Sequence, residues 1–65
     1  MSKRLWTNFS ESEDQGVSII DQVRNFKGEW QRRSLRIEGN NTSIILNDVI
    51  TEDEGKKLMR MKIHG

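Results

Sequence analysis

Residues 41–55, Asn-Thr-Ser-Ile-Ile-Leu-Asn-Asp-Val-Ile-Thr-Glu-Asp-Glu-Gly, constrain this chain more than any other stretch. An alternating apolar segment carrying Ile44, Leu46 and then Val49 runs directly into an acidic corner, Glu52-Asp53-Glu54-Gly55. Period-two alternation of β-branched and aliphatic residues predicts a strand with one buried face. The strand before it is equally legible. Trp30 opens a run in which Leu35 and Ile37 alternate with Ser34, Arg36 and Glu38. Gly39-Asn40-Asn41 lies between the two runs and tolerates positive φ, so residues 30–49 are expected to form an antiparallel hairpin.

The segments on either side admit two readings each. Residues 10–16, Ser-Glu-Ser-Glu-Asp-Gln-Gly, are polar and end on glycine, which predicts a loop. Val17 and Ile19 then share one face of a strand, but Ile19, Val23 and Phe26 also fall at i, i+4 and i+7 of a helix, with Gly28 just past its end. After Val49, Thr51 and Glu54 have the spacing of a capping box, and Leu58 and Met61 would share a helical face. The rival there is a single turn at the corner followed by a strand from Leu58 to Ile63.

With 65 residues the chain is one small domain, residues 1–65, whole or partial. A core of this size supplies only about 3–5 kcal/mol without a staple. There is no cysteine, hence no disulfide and no thiolate metal site. Hydrophobic and charged residues each make up 32%, which marks the chain as marginal for folding alone. Net charge is +1, so no strong general attraction to nucleic acid or anionic membrane is expected. No apolar run approaches a membrane span, and the start, Met-Ser-Lys-Arg-Leu-Trp-Thr-Asn, lacks the apolar core of a secretory signal. A cytoplasmic chain is the direct reading. For an extracellular protein, signal and anchor would have to lie outside this sequence.

From Phe26 to Gly55 the sequence resembles the C″–D–E–F-corner portion of an immunoglobulin variable-type (V-set) domain, nearest to the butyrophilin-like and T-cell costimulatory ligand group. Phe26-Lys27-Gly28 is similar to that group's entry to strand D. Gly39-Asn40-Asn41-Thr42-Ser43 is similar to its entry to strand E, and Ile44-Ile45-Leu46-Asn47-Asp48-Val49 to its Leu-x-Leu-x-x-Val strand. Asp53-Glu54-Gly55 matches its corner. Upstream, Trp6 would be the core tryptophan of strand C, Glu13-Asp14-Gln15-Gly16 the C–C′ turn, and Val17 to Ile20 strand C′. The departures are several. Lys57 stands for the corner tyrosine and Met59 for the second cysteine, and Glu29 stands for the arginine that pairs with the corner aspartate. Strands A and B have no counterpart, and residues 56–65 look like an unrelated tail.

The resemblance implies a mainly β fold, an incomplete immunoglobulin-like sandwich fragment built on the hairpin. Val17, Ile19, Leu35, Ile37, Ile44, Leu46 and Val49 would form its core. It implies a non-catalytic, cell-surface module that binds another receptor's ectodomain, with homo-oligomers left open. The sequons at Asn8, Asn40 and Asn41 fit that setting as candidate glycosylation sites on exposed turns. The alternative is a small α+β protein with a helix at 17–27, the hairpin at 30–49 and a basic helix at 52–62. That cytoplasmic or phage-type protein would bind nucleic acid or an acidic protein surface through Arg32, Arg33, Arg36, Lys57, Arg60 and Lys62. Trp30 beside Arg32, Arg33 and Arg36 also has the composition of a base-stacking platform, although a buried tryptophan with solvated arginines is the plainer reading.

Nothing in the residues points to catalysis. His64 is the sole histidine, the serines have no base at a recognisable spacing, and the Asp53-Glu54 pair is more simply a helix N-terminus. No metal, cofactor or small-molecule substrate is expected, since the alternating oxygen ligands of a calcium loop and a glycine-rich phosphate loop are both missing.

Overall fold

The structure is a computed structural model that describes residues 6–62. Its order is β1 (Thr7–Asp14), β2 (Val17–Phe26), β3 (Glu29–Glu38), β4 (Asn41–Ile50) and α1 (Glu52–Arg60). The protein is mainly β. Four antiparallel strands form one open sheet in sequence order, a meander, and the helix packs against β1, β2 and β3.

Turn chemistry sets the meander. Gln15-Gly16 and Lys27-Gly28 both hold positive φ at two consecutive residues, 52° and 82° in the first and 55° and 87° in the second. That is the handedness of the two-residue turns whose twist matches flanking strands. The expected hairpin is present, with its turn at Gly39-Asn40 and Glu38 opposite Asn41.

Several expectations are corrected here. Residues 10–14 are strand rather than loop: Ser10 to Asp14 pair with Asp21 to Val17, and because β1 is an edge it tolerates polar side chains on both faces. The helix at 17–27 does not form. β2 is a central strand whose backbone is hydrogen-bonded on both sides, which outweighs the local i, i+4, i+7 pattern, and Lys27-Gly28 turns the chain into β3. Among the described residues the strand expected from Leu58 to Ile63 does not form, since Glu52–Arg60 is helix. Within residues 56–65, expected as a divergent tail, Leu58 is buried and closes the core. His64 and Ile63 lie outside the described residues.

Registry divides the side chains between a helix side and an open side, since residues directly opposite across an antiparallel pair share a face. Asp21, Val23, Trp30, Arg32, Ser34, Leu46, Asp48 and Ile50 lie on the helix side. Ile20, Gln22, Arg24, Phe26, Gln31, Arg33, Leu35, Ile37, Ile44, Asn47 and Val49 lie on the open side. A register shift between Ser34 and Leu35 leaves Ile45 as an extra residue in β4, so Leu46 opposes Ser34 while Ile44 opposes Leu35. Leu35 and Leu46 thus point to opposite faces. The variable-domain alignment places both in one core.

The expected core is largely not the core. Val23 is fully buried and Leu58 nearly so, whereas Ile44, Leu46 and Val49 are exposed and Val17, Ile19, Leu35 and Ile37 are half-buried. One helix covers one end of one face, and burial follows that footprint rather than the hydrophobicity of the strands.

The helix begins as its sequence demands. The Thr51 hydroxyl accepts the Glu54 N–H at 3.2 Å, three acids occupy the first turn, and Lys57 and Arg60 occupy the last. Thr51→Ala is expected to cost about 1 kcal/mol of stability, read as a lowered urea midpoint with unchanged slope.

Candidate functional site on the open face

The concentration of unneutralised charge and aromatic surface lies on the open side, at the end near the β2–β3 turn. The Arg24 and Arg33 guanidinium carbons stand 4.3 Å and 4.2 Å from the centroid of the Trp6 ring. Arg24 also lies 5.2 Å from the Phe26 ring, and the Lys27 ammonium 5.3 Å from it. Two aromatic rings and three cations therefore alternate over one patch, each cation within cation–π range.

The strands fix these groups by a ladder of amide side chains. Arg24 Nε donates to Gln31 Oε1 at 2.7 Å, and Gln31 Nε2 donates to Glu29 Oε1 at 2.6 Å. Arg33 Nε donates to Gln22 Oε1 at 2.7 Å, and Gln22 Nε2 donates to Asn8 Oδ1 at 2.7 Å. Each arginine spends its Nε on a neutral amide and keeps its terminal nitrogens for other partners. Among the described residues neither is in an ion pair, whereas Arg32 is bound to Asp48 at 3.1 Å and Arg36 to Glu38 at 3.0 Å. Partial burial, and then the neighbouring Arg24 charge, lower the Arg33 pKa from its ordinary value. The acids on this face are Glu29, held by Gln31, and Glu11 and Glu13 toward the opposite end.

Beside this patch runs an aliphatic row. Ile20, Leu35 and Ile44 are direct cross-strand neighbours on β2, β3 and β4, and Ile37 extends the row.

The sheet divides the basic residues expected from sequence to share one face. Arg33 lies on the open side, but Arg32 and Arg36 lie on the helix side and are neutralised by carboxylates. Lys57 and Arg60 are on the helix, and Lys62 follows it. Trp30 is separated from Arg33 by the sheet and packs against Gly55. With Lys56, Met59, Arg60 and Lys62 it lines a shallow groove, where Lys56 is paired with Glu52 at 3.2 Å. The stacking partner of Arg33 is instead Trp6, and Arg24, Phe26 and Lys27 join it. These four were missed as a site. The signal was present once β2 is read through to Phe26, because Arg24 and Phe26 then share a face with Arg33 across one strand pair.

Of the sequons, Asn40 sits in an exposed turn and Asn41 opens β4. Asn8 lies inside β1 rather than on a turn, and its side chain also donates to Glu11 at 3.4 Å. Among the described residues no group of acids or histidines has the placement of a metal site, and no helix is long and apolar enough to cross a membrane. The chain matches no family model, no curated protein and no solved structure. The class is therefore defined by architecture and surface alone: a four-stranded meander with a helix on one face and an arginine–aromatic patch on the other.

Proposed function

We propose that the protein is a non-catalytic binding module whose open sheet face holds single-stranded nucleic acid. The observation that carries this reading is a pair of guanidiniums gathered on Trp6 with no carboxylate between them. Two like charges held together in a partly desolvated site favour an incoming anion, and a phosphodiester supplies one. The exposed Phe26 ring, and the part of Trp6 left uncovered, offer stacking surface of the kind that sequence-tolerant single-strand binders use. An open sheet face suits splayed bases, and the net charge of only +1 puts the attraction in the patch rather than in the molecule as a whole.

Protein recognition, including the receptor-ectodomain binding at a cell surface that the variable-domain resemblance implies, is the second reading. The aliphatic row Ile20–Leu35–Ile44 favours it.

Fluorescence anisotropy with labelled single-stranded and duplex oligonucleotides tests the proposal. Single strands are expected to bind more tightly than duplex, with affinity falling as salt rises. Phe26→Ala is expected to weaken binding about ten-fold or more, in line with roughly 1–3 kcal/mol per stacked base. Arg60→Glu, on the other face, should leave the affinity nearly unchanged. No binding at low salt, or a dependence on Arg60 and Lys62 in place of Phe26 and Arg24, overturns the reading.

A further inference from the structure

The two edges of the sheet are unlike. β1 presents Glu11, Glu13 and Asp14 along its edge, charges of the kind that discourage edge-to-edge pairing. β4 presents none of these guards. It is ten residues long, carries no lysine, arginine or proline, and exposes Ile44 at 55%, Ile45 at 54%, Leu46 at 40% and Val49 at 64%. Its one charge, Asp48, is taken by Arg32 of the same chain. A long, neutral, aliphatic edge with free backbone donors and acceptors is a template for another strand.

We propose that β4 pairs antiparallel with β4 of a second copy of this chain, joining two sheets into one of eight strands. The second copy is singled out by the strand's own pattern. Because Ile45 is an extra residue, the alternation reverses at the middle of β4. Thr42 and Ile44, opposite Ile37 and Leu35, share the open face with Asn47 and Val49, opposite Arg33 and Gln31. A two-fold axis between Ile45 and Leu46 then sets Ile44 against Asn47, Ser43 against Asp48, Thr42 against Val49 and Asn41 against Ile50. Each of these four facing pairs lies on the same side of the sheet, on both arms of the strand about the extra residue. A strand with unbroken alternation cannot match faces about an axis between two residues. Nor does the arrangement set Asp48 against another carboxylate, since it meets the hydroxyl of Ser43. Ile45 and Leu46 of the two copies meet at the axis and Ile44 flanks them, so three exposed aliphatic residues of each copy lie at the centre of the interface.

The same axis stands perpendicular to the sheet. Both helices then fall on one side and both Trp6–Arg24–Arg33 patches on the other, roughly 25 Å apart by strand spacing and rise. The pairing holds whatever the open face binds. If that face takes nucleic acid, the pair would engage one strand at two points, and linking would raise its avidity.

Light scattering coupled to size exclusion, over a concentration series of the full chain, is the direct test. The wild type is expected at twice 7.6 kDa. Ile45→Lys, which sets two ammonium groups beside the axis at a position exposed in the single chain, is expected at one chain mass with unchanged far-UV circular dichroism. Amide exchange on the wild type gives a reading that does not depend on the variant folding. The outward amides of β4 should exchange at least ten-fold more slowly than those of β1, and should lose that protection on dilution. A wild type that stays at one chain mass, a variant that dimerises as well as the wild type, or equal exchange at the two edges overturns the proposal. Loss of oligonucleotide binding in a protein that still dimerises would instead count against the nucleic-acid reading alone.

Discussion

Gly55→Val is expected to unfold most of the protein at room temperature, seen as loss of the cooperative urea transition and of the far-UV strand signal. A Cβ at Gly55 would overlap Cγ, Cδ2 and Cε3 of Trp30. These are the body of the indole rather than its rim. Cγ is attached directly to Cβ, so relief requires the whole side chain to leave its rotamer or the helix to lift from the sheet. Overpacking of this kind costs about 1–3 kcal/mol for modest insertions and more for a branched one. A domain of this size has only about 3–5 kcal/mol to lose. Gly55→Ala separates the effects. Alanine gains about 1 kcal/mol of helix propensity over glycine, and the overlap with Trp30 offsets that and more, for a net loss of up to about 2 kcal/mol. If the contact is the cause, Trp30→Val should be destabilising alone but should restore much of what Gly55→Ala loses, a coupling that a double-mutant cycle reads directly. Additive effects would show that Gly55 is needed for some other reason.

Gly55 also shows where the sequence was and was not legible. As a mid-helix glycine it reads as a propensity cost, and as part of Asp-Glu-Gly it reads as a sandwich corner. Neither reading contains the indole, because Trp30 lies twenty-five positions upstream and only the fold brings it near. Local signals did what local signals can. Gly39-Asn40 places a hairpin, Thr51 with Glu54 offers a helix start against a rival strand, and the loop expected over residues 10–16 shrinks to a turn at Gln15-Gly16. What failed was parity. One extra residue at Ile45 sends Ile44 and Leu46 to opposite faces, and no alternation count along β4 alone can show an insertion whose sign is set by its pairing with β3. The aliphatic residues of β4 were read as core because hydrophobic strands usually have a cover. This one stands at an edge, with the helix lying over β1, β2 and β3 instead. The site was hidden by the same cause. A helical reading of 17–27 scatters Arg24 and Phe26 around a cylinder, while a strand reading sets both beside Arg33.

The arginine pair yields the sharpest functional expectation. Arg33→Gln should lower single-strand affinity at least ten-fold and reduce the slope of log affinity against log salt by about one, as expected for the loss of one phosphate contact. The same substitution should leave thermal stability unchanged or raise it. Burial and the neighbouring Arg24 both push the Arg33 pKa down, which means the fold holds that positive charge at a cost. The sign follows: for a base with a lowered folded-state pKa, stability is recovered only as pH rises through that pKa, so across the neutral range this electrostatic cost stands against the Trp6 contact and the Gln22 hydrogen bond. Glutamine removes the charge and can keep an amide donor near Gln22. A purely structural arginine would behave the opposite way, losing stability and leaving any oligonucleotide affinity to follow the folded fraction. Binding should also be flat from about pH 6 to 9, since guanidinium and phosphodiester groups do not titrate there. Arg24→Gln should repeat the pattern, and the double substitution should cost less in binding than the two singles summed, because each arginine left alone no longer repels its neighbour. A destabilised Arg33→Gln with unchanged affinity per folded molecule would reduce the cluster to packing, with Trp6 shielded by two aliphatic stems and no anion to meet.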